Sequence, residues 1–128
     1  MSTRRTTRQQ QAVSSILERH GDFRSAQEWH ALLRESGEAV GLATVYRTLQ
    51  TLADEGTIDV LRSPAGEAVY RACSSGGHHH HLVCRRCGRA EEIEAAEVER
   101  WTSATATAYG FTDVTHTLEV FGRCADCS

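Results

Sequence analysis

The sequence predicts an α+β chain: a helical N-terminal part closed by a β-hairpin, then a small C-terminal α/β part stapled by a metal. Three observations carry this expectation. Apolar residues recur at helical spacing in three segments before Gly56. Short strand-like runs dominate after it. Two Cys-x-x-Cys pairs, Cys84/Cys87 and Cys124/Cys127, frame the second part.

The first helix is expected from about Thr7 to His20, where Ala12, Val13, Ile16 and Leu17 share a face and Gly21 stops the run. Ser25-Ala26-Gln27-Glu28 is a capping-box pattern opening a second helix, with Trp29, Leu32 and Leu33 inward and Gly37 at its end. The third runs from about Ala43 to Glu55, with Val45, Leu49 and Leu52 inward and Thr44, Arg47, Thr48 and Thr51 outward. Ile58 to Leu61 reads as a strand, Ser63-Pro64-Ala65-Gly66 as a turn and Ala68 to Tyr70 as the return strand. Three helices followed by a hairpin is the winged helix-turn-helix arrangement, whose third helix enters the major groove of DNA.

A Ser/Gly hinge at 74–77 separates residues 1–73 from residues 78–128. Beyond it, His80 to Val83 and Glu91 to Ile93 are strand-like, and Ala96 to Tyr109 is helical, with Val98, Trp101 and Ala108 as candidates for a buried face. Val114 to Phe121 alternates as a strand does. A few strands with one helix bury little surface alone, so this part invites a partner subunit.

The chain has 128 residues, and each half is marginal by itself. A net charge of −3 argues against a generally basic nucleic-acid coat and leaves local basic patches. Arg4, Arg5 and Arg8 form the most basic stretch, although taken alone a charged, frayed terminus explains them better. No apolar run is long enough to span a membrane, and the opening residues are polar and basic, which places the chain in the cytoplasm.

In that compartment, paired Cys-x-x-Cys motifs favour metal over disulfide. Two residues between the cysteines let both sulfurs turn to one point, so Cys84, Cys87, Cys124 and Cys127 together suit a tetrahedral zinc ion. The number of cysteines is odd and leaves Cys73 over, as either a soft ligand or a small buried hydrophobe. The run His78 to His81 offers further ligands. In an extended chain, His79 and His81 point to one face, and His78 and His80 to the other, so one tetrapeptide can feed two metal sites. Imidazole alone does not choose among zinc, nickel, copper and iron, and a solvated histidine-rich loop is the plainer alternative.

Thr44-Val45-Tyr46-Arg47-Thr48-Leu49, the run His78 to Gly88, and Cys124-Ala125-Asp126-Cys127 together resemble the ferric uptake regulator (Fur) superfamily over nearly the whole chain. Through Phe23 to Glu28, Gly66 to Arg71 and Phe121 to Cys124 the sequence most resembles its zinc uptake regulator (Zur) branch in actinobacteria. The resemblance implies a homodimeric, metal-dependent repressor of zinc uptake and zinc homeostasis genes, with an N-terminal winged helix that binds operator DNA and a C-terminal dimerisation domain. It implies up to three Zn2+ per subunit: Cys84, Cys87, Cys124 and Cys127 as a structural site, Asp59, Cys73, His79 and His81 as a regulatory site at the hinge, and His78, His80, Glu99 and His116 as a third site. It places Gln27, Thr44, Tyr46, Arg47 and Thr48 against DNA, with Arg4, Arg5 and Arg8 on phosphate. Iron and peroxide sensors of the superfamily usually carry a histidine ligand where this chain has Phe23; a thiolate at Cys73 favours zinc.

Other functions are weaker readings. An iron, nickel or peroxide sensor of the same superfamily remains the nearest alternative. A zinc buffer without DNA binding does not explain the outward polar face from Thr44 to Thr51, and a thiol redox enzyme does not need both cysteine pairs in one closed site. No membrane and no small-molecule substrate is expected.

Overall fold

In the computed structural model, residues 2–72 and 79–128 are described, with side chains from Arg8 onward in the first helix. Helix α1 spans Ser2–Arg19 and starts earlier than its apolar stripe, because the stripe marks only the packed stretch. Val13, Ile16 and Leu17 from that stretch are buried. A two-residue strand, β1 (Arg24–Ser25), follows, then α2 (Ala26–Glu35) and α3 (Leu42–Asp54).

The capping box forms as expected. Ser25 Oγ accepts from the Glu28 amide at 3.2 Å, and the Glu28 carboxylate accepts from the Ser25 amide at 2.8 Å. Such a cap stabilises a helix start by about 1 kcal/mol. Gly37 and Gly56, beyond the ends of α2 and α3, adopt φ of +87° and +75°, the left-handed geometry that stops a helix.

Strands β2 (Ile58–Arg62) and β3 (Ala68–Ala72) form the hairpin, and β1 adds a third strand in the order β1-β3-β2. β1 lies beyond sequence reading, since a strand of two residues has no period and Ser25 already serves as the cap of α2. Trp29, Leu33, Val45, Leu49 and Tyr70 fill the core between these helices and the sheet. Trp29 Nε1 donates to the Tyr70 carbonyl at 3.0 Å, and Gln50 Nε2 donates to the Tyr70 hydroxyl at 2.8 Å, so one strand residue pins α2 and α3.

Thr48 is a correction. Expected on the outer face of α3, it is buried, because at about 100° per residue it falls about 40° from Leu52 and about 60° from Val45, at the edge of the packed stripe. His20 and His30 are half-buried, and His20 lies edge-on to Trp29 with ring centroids 6.2 Å apart.

The second sheet has the order β5-β4-β6, built from β4 (His80–Cys84), β5 (Ala90–Ile93) and β6 (Glu119–Gly122). β5 runs antiparallel to β4 and β6 parallel to it. Helix α4 (Ala96–Ala108) lies between β5 and β6, and a 3-10 turn (Ala125–Cys127) ends the chain.

Two expectations fail here. The alternating run from Val114 forms a strand only over Glu119–Gly122, where β4 supplies a ladder; among the described residues no strand pairs with 114–118. Helix α4 has no buried residue: Trp101 is 68% exposed, and Val98 and Ala108 are not buried. Its apolar side chains lie with Tyr109, Phe111 and Val114 along one groove, and nothing among the described residues covers them.

Between the two sheets lies a smaller apolar cluster. Phe23, Leu61 and Val69 come from the first sheet and its approach, and Val83, Ala90 and Phe121 from the second. The expected hinge at 74–77 falls outside the described residues.

Candidate metal centres and nucleic-acid face

Three clusters of ligand-type side chains form among the described residues, each with its donor atoms within 4.8 Å of one another. The first is Cys84, Cys87, Cys124 and Cys127. Cys84 ends β4, Cys87 and Gly88 lie in the turn to β5, Cys124 caps the terminal 3-10 turn and Cys127 is its last residue. The parallel pairing of β4 with β6 sets Cys84 opposite Gly122, which brings the two knuckles together.

None of these cysteines is in a disulfide. Cys87 and Cys124 sulfurs stand 3.7 Å apart. Four sulfurs at the usual zinc–thiolate length share edges of about 3.8 Å, so the set fits a tetrahedral ion. The amides of Cys124 and Cys87 donate to Cys84 Sγ at 3.4 and 3.5 Å, and they pull its pKa down to about 5. Hydrogen bonding to the Cys124 sulfur and burial push Cys127 up to about 12. The Arg89 amide favours the Cys87 thiolate, but the Cys84 sulfur and burial outweigh it and raise that thiol too. Sulfurs this close cannot all ionise without a cation among them, and a dication removes the conflict.

The second cluster is Asp59, His79 and His81. Asp59 projects from β2, whereas the two histidines come from the start of β4. His79 Nε2 lies 3.2 and 3.1 Å from the Asp59 carboxylate oxygens, and His81 Nε2 lies 2.9 Å from Oδ2. Burial raises the Asp59 pKa, but hydrogen bonds and charge from His81 and His79 outweigh it, so the carboxyl stays below its ordinary 3.8. The Phe23 ring stands edge-on to His81 at 5.2 Å, so an apolar wall closes one side of this cluster.

The third cluster is His80, Glu99 and His116. His80 Nε2 is 2.7 Å from Glu99 Oε2, and His116 Nε2 is 3.0 Å from the same oxygen. The alternation expected from an extended chain is therefore seen: His79 and His81 face Asp59, and His80 faces the other way, toward α4. Cys73 and His78 lie outside the described residues.

The nucleic-acid face is less defined. Arg8, Gln27, Tyr46 and Arg47 are exposed, Thr44 is half-buried, and Arg47 Nη2 donates to Thr44 Oγ1 at 3.4 Å. The side chains of Arg4 and Arg5 fall outside the described residues. Thr48 is turned into the core and packs rather than projects.

Two residues beside the second cluster were missed as parts of it. Arg71, on β3, is the cross-strand neighbour of Asp59, and Glu92, on β5, is that of His81. A register counted outward from the Ser63–Gly66 turn gives the first pairing, but no sequence signal relates the two sheets.

Comparison with known proteins agrees with this arrangement. The ferric uptake regulator family profile matches residues 2–121. The zinc uptake regulation protein of Mycobacterium tuberculosis H37Rv is 56% identical over 123 residues, covering 96% of this chain and 94% of that protein. The crystal structure of FurB, a zinc uptake regulator from M. tuberculosis, is 56% identical, covers 97% of this chain and 95% of its own, and superposes with a TM-score of 0.58. A zinc uptake regulator complexed with zinc and DNA is 28% identical, covers 93% of this chain and 80% of its own, and has a TM-score of 0.70. With the profile spanning nearly the whole chain and both cysteine knuckles closing on each other, the chain belongs to the ferric uptake regulator family, a family of regulators rather than enzymes.

Proposed function

We propose that the chain is a zinc-responsive transcriptional repressor that binds operator DNA as a homodimer in the cytoplasm and controls zinc uptake and homeostasis genes. The observation that carries this reading is the position of Asp59. Its carboxylate lies on the wing hairpin of the first sheet, within 2.9–3.2 Å of two histidines that belong to the second. Names of similar proteins support zinc as the metal, and so does the apolar Phe23 ring against His81, which offers no further ligand to this cluster.

In this reading residues 1–73 form the DNA-binding domain, 74–77 the hinge, and 78–128 the dimerisation domain. Cys84, Cys87, Cys124 and Cys127 hold a structural zinc. Asp59, His79 and His81, with Cys73 as the fourth donor, hold the regulatory ion; His80, Glu99 and His116, with His78, hold a third. Zinc supplies a dication whose shared coordination makes separate side chains behave as one rigid unit.

Asp59 moves with the hairpin, and the hairpin is tied to α3 through Tyr70 and Gln50. His79 and His81 move with β4. Holding Asp59 against the two histidines therefore fixes α3 relative to the dimerisation domain, and so fixes the spacing of the two α3 helices in a dimer. That spacing must match the half-sites on DNA. The protein responds by population shift, within the limit set by the preference of the ion for the closed arrangement. Arg47 presents a fork to a guanine edge, Gln27, Thr44 and Tyr46 lie along the same face, and Arg4, Arg5 and Arg8 meet phosphate.

The superpositions lend support. The FurB structure, at 56% identity, superposes less well overall than the DNA complex at 28%. Identity and global fit running in opposite order is the pattern that a movable connection between parts produces.

The test is direct. Protein stripped by mild chelation is titrated with zinc, iron, nickel and manganese against an operator selected from a random duplex pool. Zinc should restore binding at the lowest free concentration. Equal binding without any metal, or restoration by iron at lower free concentration than zinc, contradicts the reading.

A further inference from the structure

The Asp59 cluster has a neighbour of different chemistry. In the first sheet Asp59 stands opposite Arg71, and in the second His81 stands opposite Glu92. Where the sheets meet, these two cross-strand pairs face each other. Asp59 Oδ2 reaches His81 Nε2 at 2.9 Å, and beside it Arg71 Nη1 reaches Glu92 Oε2 at 3.0 Å. Two links thus join the sheets side by side, one between ligand-type groups and one an ion pair that needs no metal.

Arg71 is well fixed for this role. Its Nε donates to the Gly21 carbonyl at 2.6 Å, and its Nη1 also makes a long ion pair with Asp59 Oδ2 at 4.0 Å, against 3.0 Å to Glu92. The side chains of Arg71 and Glu92 are only 12% and 19% exposed. A freely solvated ion pair contributes little, but one with a guanidinium already oriented by a backbone carbonyl, and shielded from water, loses less side-chain entropy and is screened less.

We propose that Arg71 and Glu92 form a metal-independent clasp between the two sheets: a positioning pair that holds Asp59 within reach of His79 and His81 before an ion is bound. The clasp raises the fraction of molecules already closed. A ligand that binds only the closed form then needs a lower free concentration, since its apparent affinity scales with that fraction. The clasp rests on the zinc-repressor reading for its effect on DNA binding, but not for its structural effect.

The fold supplies a reporter for closure. The Phe23 amide donates to the Gly88 carbonyl at 2.8 Å, from the approach to the first sheet to the cysteine turn of the second. Contact there is so close that a Cβ on Gly88 would stand 2.2 Å from the Phe23 oxygen. The Phe23 amide can exchange with solvent only when the sheets part, whereas the Leu49 amide lies in the α3 core.

The test is a double-substitution cycle read by amide exchange on the full-length protein with the four-cysteine site loaded. Arg71→Gln and Glu92→Gln should each lower Phe23 protection by about three- to tenfold, and the double variant by no more than either alone. Leu49 protection should stay unchanged in Glu92→Gln, which keeps the shape of the side chain and leaves the Arg71–Gly21 contact in place. The same variants should raise the free zinc needed for half-maximal operator binding by a matching factor. Unchanged Phe23 protection in Glu92→Gln, or fully additive effects in the double variant, overturns the clasp. If wild-type protein shows no zinc-dependent operator binding, the repressor reading fails, and the exchange cycle still decides the clasp.

Discussion

Two clusters in this molecule share one chemistry and differ in where their carboxylate comes from. Asp59 lies between His79 and His81, and Glu99 lies between His80 and His116. Consecutive residues of β4 feed both, because neighbouring side chains of a strand point to opposite faces. Yet Asp59 belongs to the hairpin of the first sheet, while Glu99 and His116 follow β4 within the same small unit. In the proposed reading the first arrangement joins two bodies, so an ion there would change their relative placement. The second closes a loop inside one body, where an ion would mainly stiffen it. Ligand identity sets which ion binds; topology sets what binding does.

The largest effect should come from the frame that supports both clusters. Cys84→Ser removes a ligand from the structural site, where binding contributes about 10–16 kcal/mol that is also folding free energy. We expect loss of one zinc per subunit and an unfolded or destabilised C-terminal unit, read by metal analysis and circular dichroism. Full zinc content with normal dimerisation would remove the four-cysteine assignment.

Next in size is the hinge cluster. Cys73→Ser should keep the fold, the dimer and the structural zinc but lose zinc-induced operator binding. Changing even an outer partner of a metal ligand costs about 10–100-fold in affinity, and losing Cys73 as the proposed fourth donor should cost at least that. Fluorescence anisotropy against zinc checks it, and strong zinc-independent binding by this variant would contradict the hinge reading.

Arg47→Ala separates DNA contact from metal sensing. It should weaken specific binding by about 1–3 kcal/mol with zinc content unchanged. Operator binding as tight as wild type would take α3 out of the interface.

The smallest effect is expected at the third cluster. His116→Ala leaves Glu99 and His80 in contact, so the zinc response should persist with a modestly higher midpoint. A loss as complete as that of Cys73→Ser would erase the distinction between the two clusters.

Much of this was legible in the sequence, for identifiable reasons. The capping box at Ser25 and Glu28, the glycine stops at Gly37 and Gly56 and the period of the histidine run are local, and local rules placed them. Thr48 was misplaced because it lies at the edge of the packed stripe, where the width of the neighbouring contact decides whether a threonine is buried. The buried face assigned to α4 was not found because none of the described elements packs over it: Trp101, Tyr109 and Phe111 stay exposed. The alternating run from Val114 had the right pattern but met a partner strand only from Glu119. The Arg71–Glu92 pair was invisible because it links two sheets whose relation no periodicity encodes.

The central claim is that the cluster joining the sheets switches DNA binding and the cluster inside one of them does not. It is tested most directly by titrating zinc into Asp59→Ala and Glu99→Ala side by side, with operator binding as the readout and structural zinc verified in both. Asp59→Ala should show no zinc-induced binding at concentrations that saturate wild type, while Glu99→Ala should reach full binding at a moderately higher midpoint. Full zinc-induced binding by Asp59→Ala, or equal loss in both variants, would contradict the hinge mechanism.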